Sequence, residues 1–169
     1  MIRLARRPDR GASAVEFALV MPLLLMILFG LITTGLAFSD HLSATNATRE
    51  ASRYGAASDV SSAGWATSVK DRLKQVYFNA GETVTDDQIC VKLVQQTPTT
   101  PAPVPYTGAN CGPPPSAPSG MGVGSCAVLV WMQRPQTIQL LVFPDLDFTT
   151  RAESVAYYSR VVSTKCTAL

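Results

Sequence analysis

Histidine is almost absent from this 169-residue chain, and His41 is the only one. A structural zinc site needs closely spaced cysteine and histidine ligands, and none of the four cysteines stands in a Cys-x-x-Cys pair. A Ser-His-Asp or Cys-His catalytic site needs a histidine beside the nucleophile. The sequence therefore predicts no metal site, no cofactor and no enzymatic activity.

Charged residues are also few, at 15% of the chain, and the net charge is only +2. The positive excess lies in residues 1–11, which hold four arginines and one aspartate. Residues 12–169 carry ten basic and eleven acidic side chains. A nucleic-acid-binding protein needs a clustered basic face, so we expect no nucleic-acid partner.

Charge is absent altogether from residues 17–39, a run of 23 residues. As a helix with a rise of ~1.5 Å per residue, this run spans the ~30 Å hydrocarbon core of a bilayer. The arginines just before it favour a cytoplasmic N-terminus, because positively charged flanks stay inside. We expect a single-pass membrane protein, in contact with membrane lipid, whose C-terminal domain lies outside; in a bacterium these places are the inner membrane and the periplasm.

A conventional secretory signal peptide is the main rival interpretation of this run. The small residues Gly35 and Ala37 resemble a signal cleavage site. However, the apolar region of a signal peptide is usually only ~7–15 residues long, and a carboxylate at Glu16 is unusual before it.

Helical spacing of small and apolar residues continues beyond the run and predicts one helix over residues 14–57. A second, amphipathic helix is predicted near residues 62–78. Its apolar stripe is Trp65, Val69, Leu73 and Val76, and Lys70, Asp71 and Lys74 lie away from that stripe. Strand patterns follow at residues 89–94, 127–132, 138–143 and 148–162.

Residues 97–124, between the first two strands, are rich in proline, glycine, serine and threonine and predict a long exposed loop. An even number of cysteines in a small exported domain predicts two disulfides, whose pairing stays open. The candidates are Cys90, Cys111, Cys126 and Cys166. Cys111 lies in the loop, and a bond to Cys126 or Cys90 would tether it.

A glycine ends the basic leader, and a lone carboxylate follows five residues later, where the apolar run begins. The residues of this layout are Gly11, Ala12, Glu16 and Phe17. The layout resembles the type IV prepilin processing signal in its Tad/Flp form. The resemblance implies that a prepilin peptidase cuts after Gly11, which makes Glu16 the fifth residue of the mature chain. It also implies that Glu16 pairs with a free α-amino group, since an unpaired buried carboxylate is costly.

Two longer stretches extend the resemblance: residues 14–24 read AVEFALVMPLL, and residues 46–54 read NATREASRY. Both are similar to TadE-like proteins, the second through the pattern Ala-x-Arg-Glu-x-x-Arg. The resemblance covers residues 10–57, about a third of the chain. TadF-like proteins are similar enough to remain an alternative.

The resemblance implies an α+β fold, with a long N-terminal transmembrane helix followed by a small pilin-like domain with an antiparallel sheet. Its domains would be a leader at residues 1–11, the transmembrane and extended helix at 12–57, and a periplasmic domain at 58–169. The implied assembly contacts are Glu16, Pro22, Arg49, Glu50 and Arg53.

The implied role is that of a minor pseudopilin in assembly or priming of a Tad/Flp-type pilus or a related secretion apparatus. Its implied partners are the prepilin peptidase, other pseudopilins and pilin subunits, and the inner-membrane assembly platform. Whether the protein enters the fibre, caps it or only primes it stays open. The second hypothesis is an uncleaved membrane-anchored periplasmic module for binding or adhesion.

Overall fold

The chain folds into two helices and one three-stranded sheet, in a computed structural model that describes residues 10–59, 64–95, 108–115, 125–138 and 146–158. The elements are α1 (Arg10–Ala57), α2 (Trp65–Asn79), β1 (Ile89–Gln95), β2 (Cys126–Ile138) and β3 (Leu146–Tyr157). A short 3-10 helix, Asp86–Gln88, precedes β1. The predicted α+β class, with a long apolar helix followed by a small domain with an antiparallel sheet, is confirmed. The chain divides into two units between Phe38 and Ser39, inside α1.

The part of α1 in the first unit exposes large apolar side chains along its whole length. Its most apolar stretch has a mean hydropathy of 2.5, and none of that stretch is buried within the protein. The hydroxyls of Thr33 and Thr34 donate to the carbonyl oxygens of Phe29 and Gly30, so the helix satisfies its own polar side chains. Among the described residues this is the one helix that is long and apolar enough to cross a membrane.

In the second unit α1 buries a face of small residues. Ala44, Ala47 and Ala51 are fully buried in the main hydrophobic core. Small side chains let the helix backbone lie close to the sheet, and Ser52 Oγ lies 2.9 Å from Ser154 Oγ on β3. At Gly55 an added Cβ would lie only 3.0 Å from Val69 Cγ2, so glycine permits the close approach of α2.

Helix α2 packs on the same side of the sheet and begins at Trp65, after Gly64, whose φ of 83° is left-handed. Residues 62 and 63 of the predicted helix lie outside the described residues. Its buried apolar face is Trp65, Val69, Leu73 and Tyr77, and Val76 is only partly buried. Lys70, which we expected to lie in the charged region away from the stripe, is only 9% exposed. Its ammonium donates to the backbone carbonyl of Asp86 at 2.8 Å, because the 3-10 helix lies beside α2.

The sheet has the order β1-β2-β3, and both neighbouring pairs are antiparallel. β2 is central, as its apolar run predicted, but it continues to Ile138 instead of ending at Met132. Beyond Met132 its only described neighbour is β3, with Pro135 opposite Thr149. Proline is tolerated there because a strand with one paired edge has a free side for a residue without an N–H. The separate strand predicted at residues 138–143 therefore contributes Ile138 to β2, and its remainder lies outside the described residues.

A smaller cluster of buried residues covers the other face of the sheet: Cys90, Val94, Cys111, Ala127, Leu129 and Trp131. Cys111 is disulfide-bonded to Cys90, with their Cα atoms 5.8 Å apart. Trp131 Nε1 donates to the carbonyl of Gly112 at 3.3 Å. The described part of the predicted exposed loop, residues 108–115, thus lies against the sheet and buries Cys111. Cys126 is also disulfide-bonded, and Cys166 lies outside the described residues.

Candidate assembly site

The residues of the processing signal lie in the first two turns of α1. The bond between Gly11 and Ala12 falls in the first turn, where helix N–H groups lack intrahelical acceptors. Glu16 and Phe17 follow in the next turn, and both are exposed. Within the described residues Glu16 forms no ion pair. Its side chain lies exposed on the surface of α1.

Pro22 lies inside α1, which continues without interruption to Ala57. A proline in a helix removes one backbone N–H and leaves the carbonyl four residues earlier without its usual donor. Pro22 is exposed, so this part of the backbone is uncovered in the single chain.

The charged residues Arg49, Glu50 and Arg53 near the end of α1 lie on two different faces of the helix. Glu50 pairs with Arg72 of α2, with 2.7 Å between the carboxylate and the guanidinium. Arg49 and Arg53 are exposed and lie one turn apart. Neither has an ion-pair partner among the described residues. Glu50 therefore joins two helices of the same chain, and the two arginines form a separate basic face.

A further group of polar residues surrounds Asp40, which is only 5% exposed. The Asp40 carboxylate accepts hydrogen bonds from the hydroxyl of Tyr77 and the side-chain amide of Gln136. Arg134 lies 3.6 Å from the same carboxylate and 2.6 Å from that of Glu82. We call these five residues the Asp40 cluster. It joins α1 to α2 and β2.

The electrostatics of the Asp40 cluster follow from its burial and its pairing. Desolvation and the hydrogen bond to Asp40 raise the pKa of Tyr77, so its hydroxyl stays protonated and acts as a donor. The hydrogen bond to Glu82 raises the pKa of Arg134 above its ordinary value. A buried carboxylate needs such partners, because burying an unpaired charge is costly. The Asp40 cluster links α1 to α2 and β2 and so holds this part of α1 on the sheet domain.

Comparison with known families gives a match near the N-terminus, over about a quarter of the chain. Residues 11–53 match the family described as TadE-like protein. This confirms the resemblance drawn from the sequence, and it places Glu16, Asp40, Arg49, Glu50 and Arg53 within the matched segment. No curated protein and no solved structure matches the chain.

TadE-like proteins are components of a pilus, and the family is not known for enzymatic activity. Among the described residues, the exposed apolar part of α1 fits a single-pass membrane anchor in a pilus-associated protein. The matched segment includes the exposed apolar part of α1 and most of its packed part.

The Asp40 cluster was missed by the sequence reasoning. One signal was present, because Asp40 is the first charged residue after the uncharged run of residues 17–39. Its partners could not be found in that way, since Tyr77 is 37 and Gln136 is 96 residues distant in sequence.

Proposed function

We propose that this TadE-like chain is a minor pseudopilin that takes part in assembly or priming of a Tad/Flp-type pilus or a related secretion apparatus. It is anchored in the inner membrane by α1, with its N-terminus in the cytoplasm and its sheet domain in the periplasm. A prepilin peptidase cuts after Gly11. Other pseudopilins, pilin subunits and the inner-membrane assembly platform are its partners.

The observation that carries this proposal is the isolation of Glu16. It is the only charged residue between Gly11 and Ser39, it lies in the TadE-like segment, and it is exposed on α1 with no ion pair among the described residues. A carboxylate at the start of a membrane helix is expensive unless it meets a cation. Such a residue indicates a contact that forms only with another molecule or after processing.

Cleavage after Gly11 would create the missing cation. The new α-amino group at Ala12 has an ordinary pKa near ~8 and is positively charged at neutral pH. A positive charge at a helix N-terminus is unfavourable, because the helix dipole is positive there. Glu16 lies one turn further along α1, so its carboxylate can neutralise this amine or that of a neighbouring subunit. The pair would set the register between subunits.

The first test is the N-terminal sequence of the protein purified from membranes of its host, with and without the prepilin peptidase. We expect a start at Ala12 that depends on the peptidase. A start at Met1 in both strains would contradict processing and leave the uncleaved membrane-anchored module. A start near Phe38 would contradict the membrane anchor itself.

The second test replaces Glu16 in the host. We expect Glu16→Ala to reduce recovery of the protein with the assembled apparatus by at least about tenfold, since an unpaired amine then remains in an apolar surrounding. Glu16→Asp retains the charge and should recover part of this loss. Ser13→Ala serves as the control one turn earlier on α1. Normal incorporation of the Glu16→Ala variant would refute the role of Glu16.

A further inference from the structure

The direction of β2 relative to α1 follows from two contacts within the second unit. An added Cβ at Gly55 would lie 3.1 Å from Val128 Cγ1 on β2. Nearer the start of α1, the Asp40 carboxylate accepts a hydrogen bond from Gln136, also on β2. The two stretches between these contacts are similar in length, about 22 Å along the helix and about 26 Å along the strand. The strand therefore runs beside α1 in the opposite direction.

The hairpin of β2 and β3 continues past the level of Asp40. β2 extends beyond Gln136 to Ile138, which pairs with Leu146, the first residue of β3. The two added residues advance the strand by about 7 Å. Because β2 and α1 run in opposite directions, this advance is towards the start of α1, where the uncharged run ends at Ser39. Leu146 therefore lies beyond Asp40 on the side from which α1 enters the domain.

Large side chains without a polar atom are exposed at this end of the domain. Leu42 is 46% exposed, Phe78 is 69% exposed and Leu146 is 56% exposed. Phe78 belongs to this end because its neighbour Tyr77 donates a hydrogen bond to Asp40. We call Leu42, Phe78 and Leu146 the apolar end. Among the described residues of the second unit, the other large exposed side chains are two tyrosines and a less exposed valine, all at the opposite end. The concentration of apolar surface at one end indicates an interaction surface there.

The sequence around Leu146 indicates the kind of partner. Residues 135–150 contain no lysine or arginine, and residues 140–143 are four consecutive apolar residues. The acidic residues of this segment, Asp145 and Asp147, stand on either side of Leu146. A segment that binds anionic lipid does so through clustered basic side chains, and these aspartates would repel such lipid. The composition therefore favours burial of apolar side chains among phospholipids without net charge.

The end of the uncharged run sets the depth of these side chains. In the proposed function this run crosses the bilayer as part of one continuous helix, so Asp40, directly after it, lies at the boundary of the hydrocarbon core. Leu146 reaches about 7 Å further in the direction of the run. Apolar side chains that bind a membrane surface enter it to a depth of ~5–10 Å. Leu146 is therefore at the depth where acyl chains, and not water, surround an exposed side chain.

We propose that the apolar end docks on the surface of the membrane that α1 spans, in the leaflet on the side of the domain, among phospholipids without net charge. Leu146 enters deepest, and Leu42 and Phe78 lie at the level of the headgroups. The inference rests on the membrane anchor of the proposed function. The docked surface continues the lipid-exposed part of α1, so the same bilayer covers both. The contact fixes the height of the domain, and any step that draws the protein out of the bilayer must break it.

The first test adds a tryptophan to the full chain, reconstituted in phosphatidylcholine vesicles whose acyl chains are brominated near the headgroup. Bromine quenches tryptophan fluorescence only at short range. We expect brominated lipid to remove at least about half of the fluorescence that Leu146→Trp adds, since an interfacial side chain contacts acyl chains. Tyr157→Trp is the matched control, because Tyr157 is 57% exposed at the other end of β3. Its added fluorescence should not fall.

The second test leaves the wild-type sequence unchanged. A photoactivatable phosphatidylcholine labels the reconstituted chain, and mass spectrometry locates the label. We expect label around Leu146 and none around Tyr157. Leu146→Asp should reduce the label around residue 146 by about threefold or more, because a charged side chain is costly among acyl chains. Replacing part of the phosphatidylcholine by anionic phosphatidylglycerol should not increase it, since residues 135–150 carry no basic side chain.

Equal quenching at the two added tryptophans, or equal wild-type label around Leu146 and Tyr157, would overturn the proposal. Stronger label in anionic vesicles would overturn the choice of lipid. Flotation with the vesicles at alkaline pH tests the anchor separately: a chain that floats without either signal at Leu146 refutes this inference alone, whereas a chain that does not float refutes the membrane anchor as well. The buried Trp65 and Trp131 report whether each variant is folded.

Discussion

The two parts of α1 belong to one continuous helix and yet have opposite surfaces. Before Phe38 its large apolar side chains are exposed, and Leu24, for example, is 55% exposed. After Ser39 its apolar contacts come from alanines, and Ala47 is fully buried. Large apolar side chains can be exposed to lipid, whose chains move to accommodate them. Small side chains allow the helix backbone to pack closely on a rigid sheet. The size of the apolar residues therefore distinguishes a helix made for lipid from one made for its own domain.

The carboxylates of the two parts differ in the same way. Glu16 is exposed and without an ion pair among the described residues, whereas Asp40 is buried and has partners from α2 and β2. We therefore expect changes in the first part to affect assembly and changes in the second part to affect folding. Trp65 and Trp131, the two tryptophans of the chain, are both buried in the second unit, so their fluorescence reports its unfolding alone.

The largest expected difference comes from two leucines. Leu73→Ala removes a fully buried side chain and should lower the free energy of unfolding by about 3–4 kcal/mol, since it leaves a cavity in the core. Leu24→Ala should leave the same quantity unchanged. Urea titrations in detergent, followed by tryptophan fluorescence, measure both. An equal loss in the two variants would show that the first part of α1 is also packed in the protein.

The disulfide on the second face should have the next largest effect. Replacing Cys90 and Cys111 by serine opens a link between residues 21 positions apart and should cost about 3 kcal/mol of unfolding free energy. Because Cys126 is disulfide-bonded as well, the control is reduction of both proteins, which should destabilise the wild type more than the variant. Equal effects of the reductant on the two proteins would contradict the contribution of this bond.

Substitutions at the two carboxylates, Asp40 and Glu16, should differ less in unfolding free energy than those at the two leucines. Asp40→Ala leaves the hydroxyl of Tyr77 and the amide of Gln136 without their acceptor and should cost about 2 kcal/mol. Asp40→Asn keeps an acceptor oxygen and should cost less. Glu16→Ala should not change unfolding measured by fluorescence. A stable Asp40→Ala variant would show that water replaces the carboxylate in the Asp40 cluster.

The smallest expected effect is a dependence on alkaline pH. The pKa of Tyr77 is raised in the folded protein, so the folded state retains a proton that the unfolded state loses above an ordinary pKa near ~10. The stabilising contribution of this group is therefore complete below pH ~10 and is lost as the pH rises further. Tyr77→Phe should remove this part of the pH dependence, and Tyr157→Phe, at an exposed residue, should not. Identical alkaline curves for the wild type and Tyr77→Phe would contradict the assignment.

Sequence patterns predicted those helices and strands whose own residues carry a clear apolar periodicity. The uncharged run and the spacing of small residues gave α1, the apolar stripe gave α2, and the alternation from Ile89 gave β1. The polar end of β2 was not predicted, because Gln133 to Thr137 carry no apolar alternation and form a strand by pairing with β3. Only the partner strand decides their conformation.

The candidate site divides in the same manner. Gly11, Glu16 and Phe17 could be proposed as a processing signal because they lie within seven consecutive residues after the basic leader. The Asp40 cluster could not be found in this way, because its members come from α1, α2, β2 and the segment that follows α2. Likewise, the burial of Lys70 depends on where the 3-10 helix lies, and the burial of Cys111 depends on its bond to Cys90.

The contact between Ser52 and Ser154 joins residues 102 positions apart. A ribosome makes α1 long before it makes β3, so the alanine face of α1 is complete while part of the sheet that covers it does not yet exist. During synthesis that face must stay uncovered or be held by another protein. A chaperone that acts on this chain would therefore bind the alanine face of α1. It would no longer be needed once β3 is synthesised and the sheet is complete.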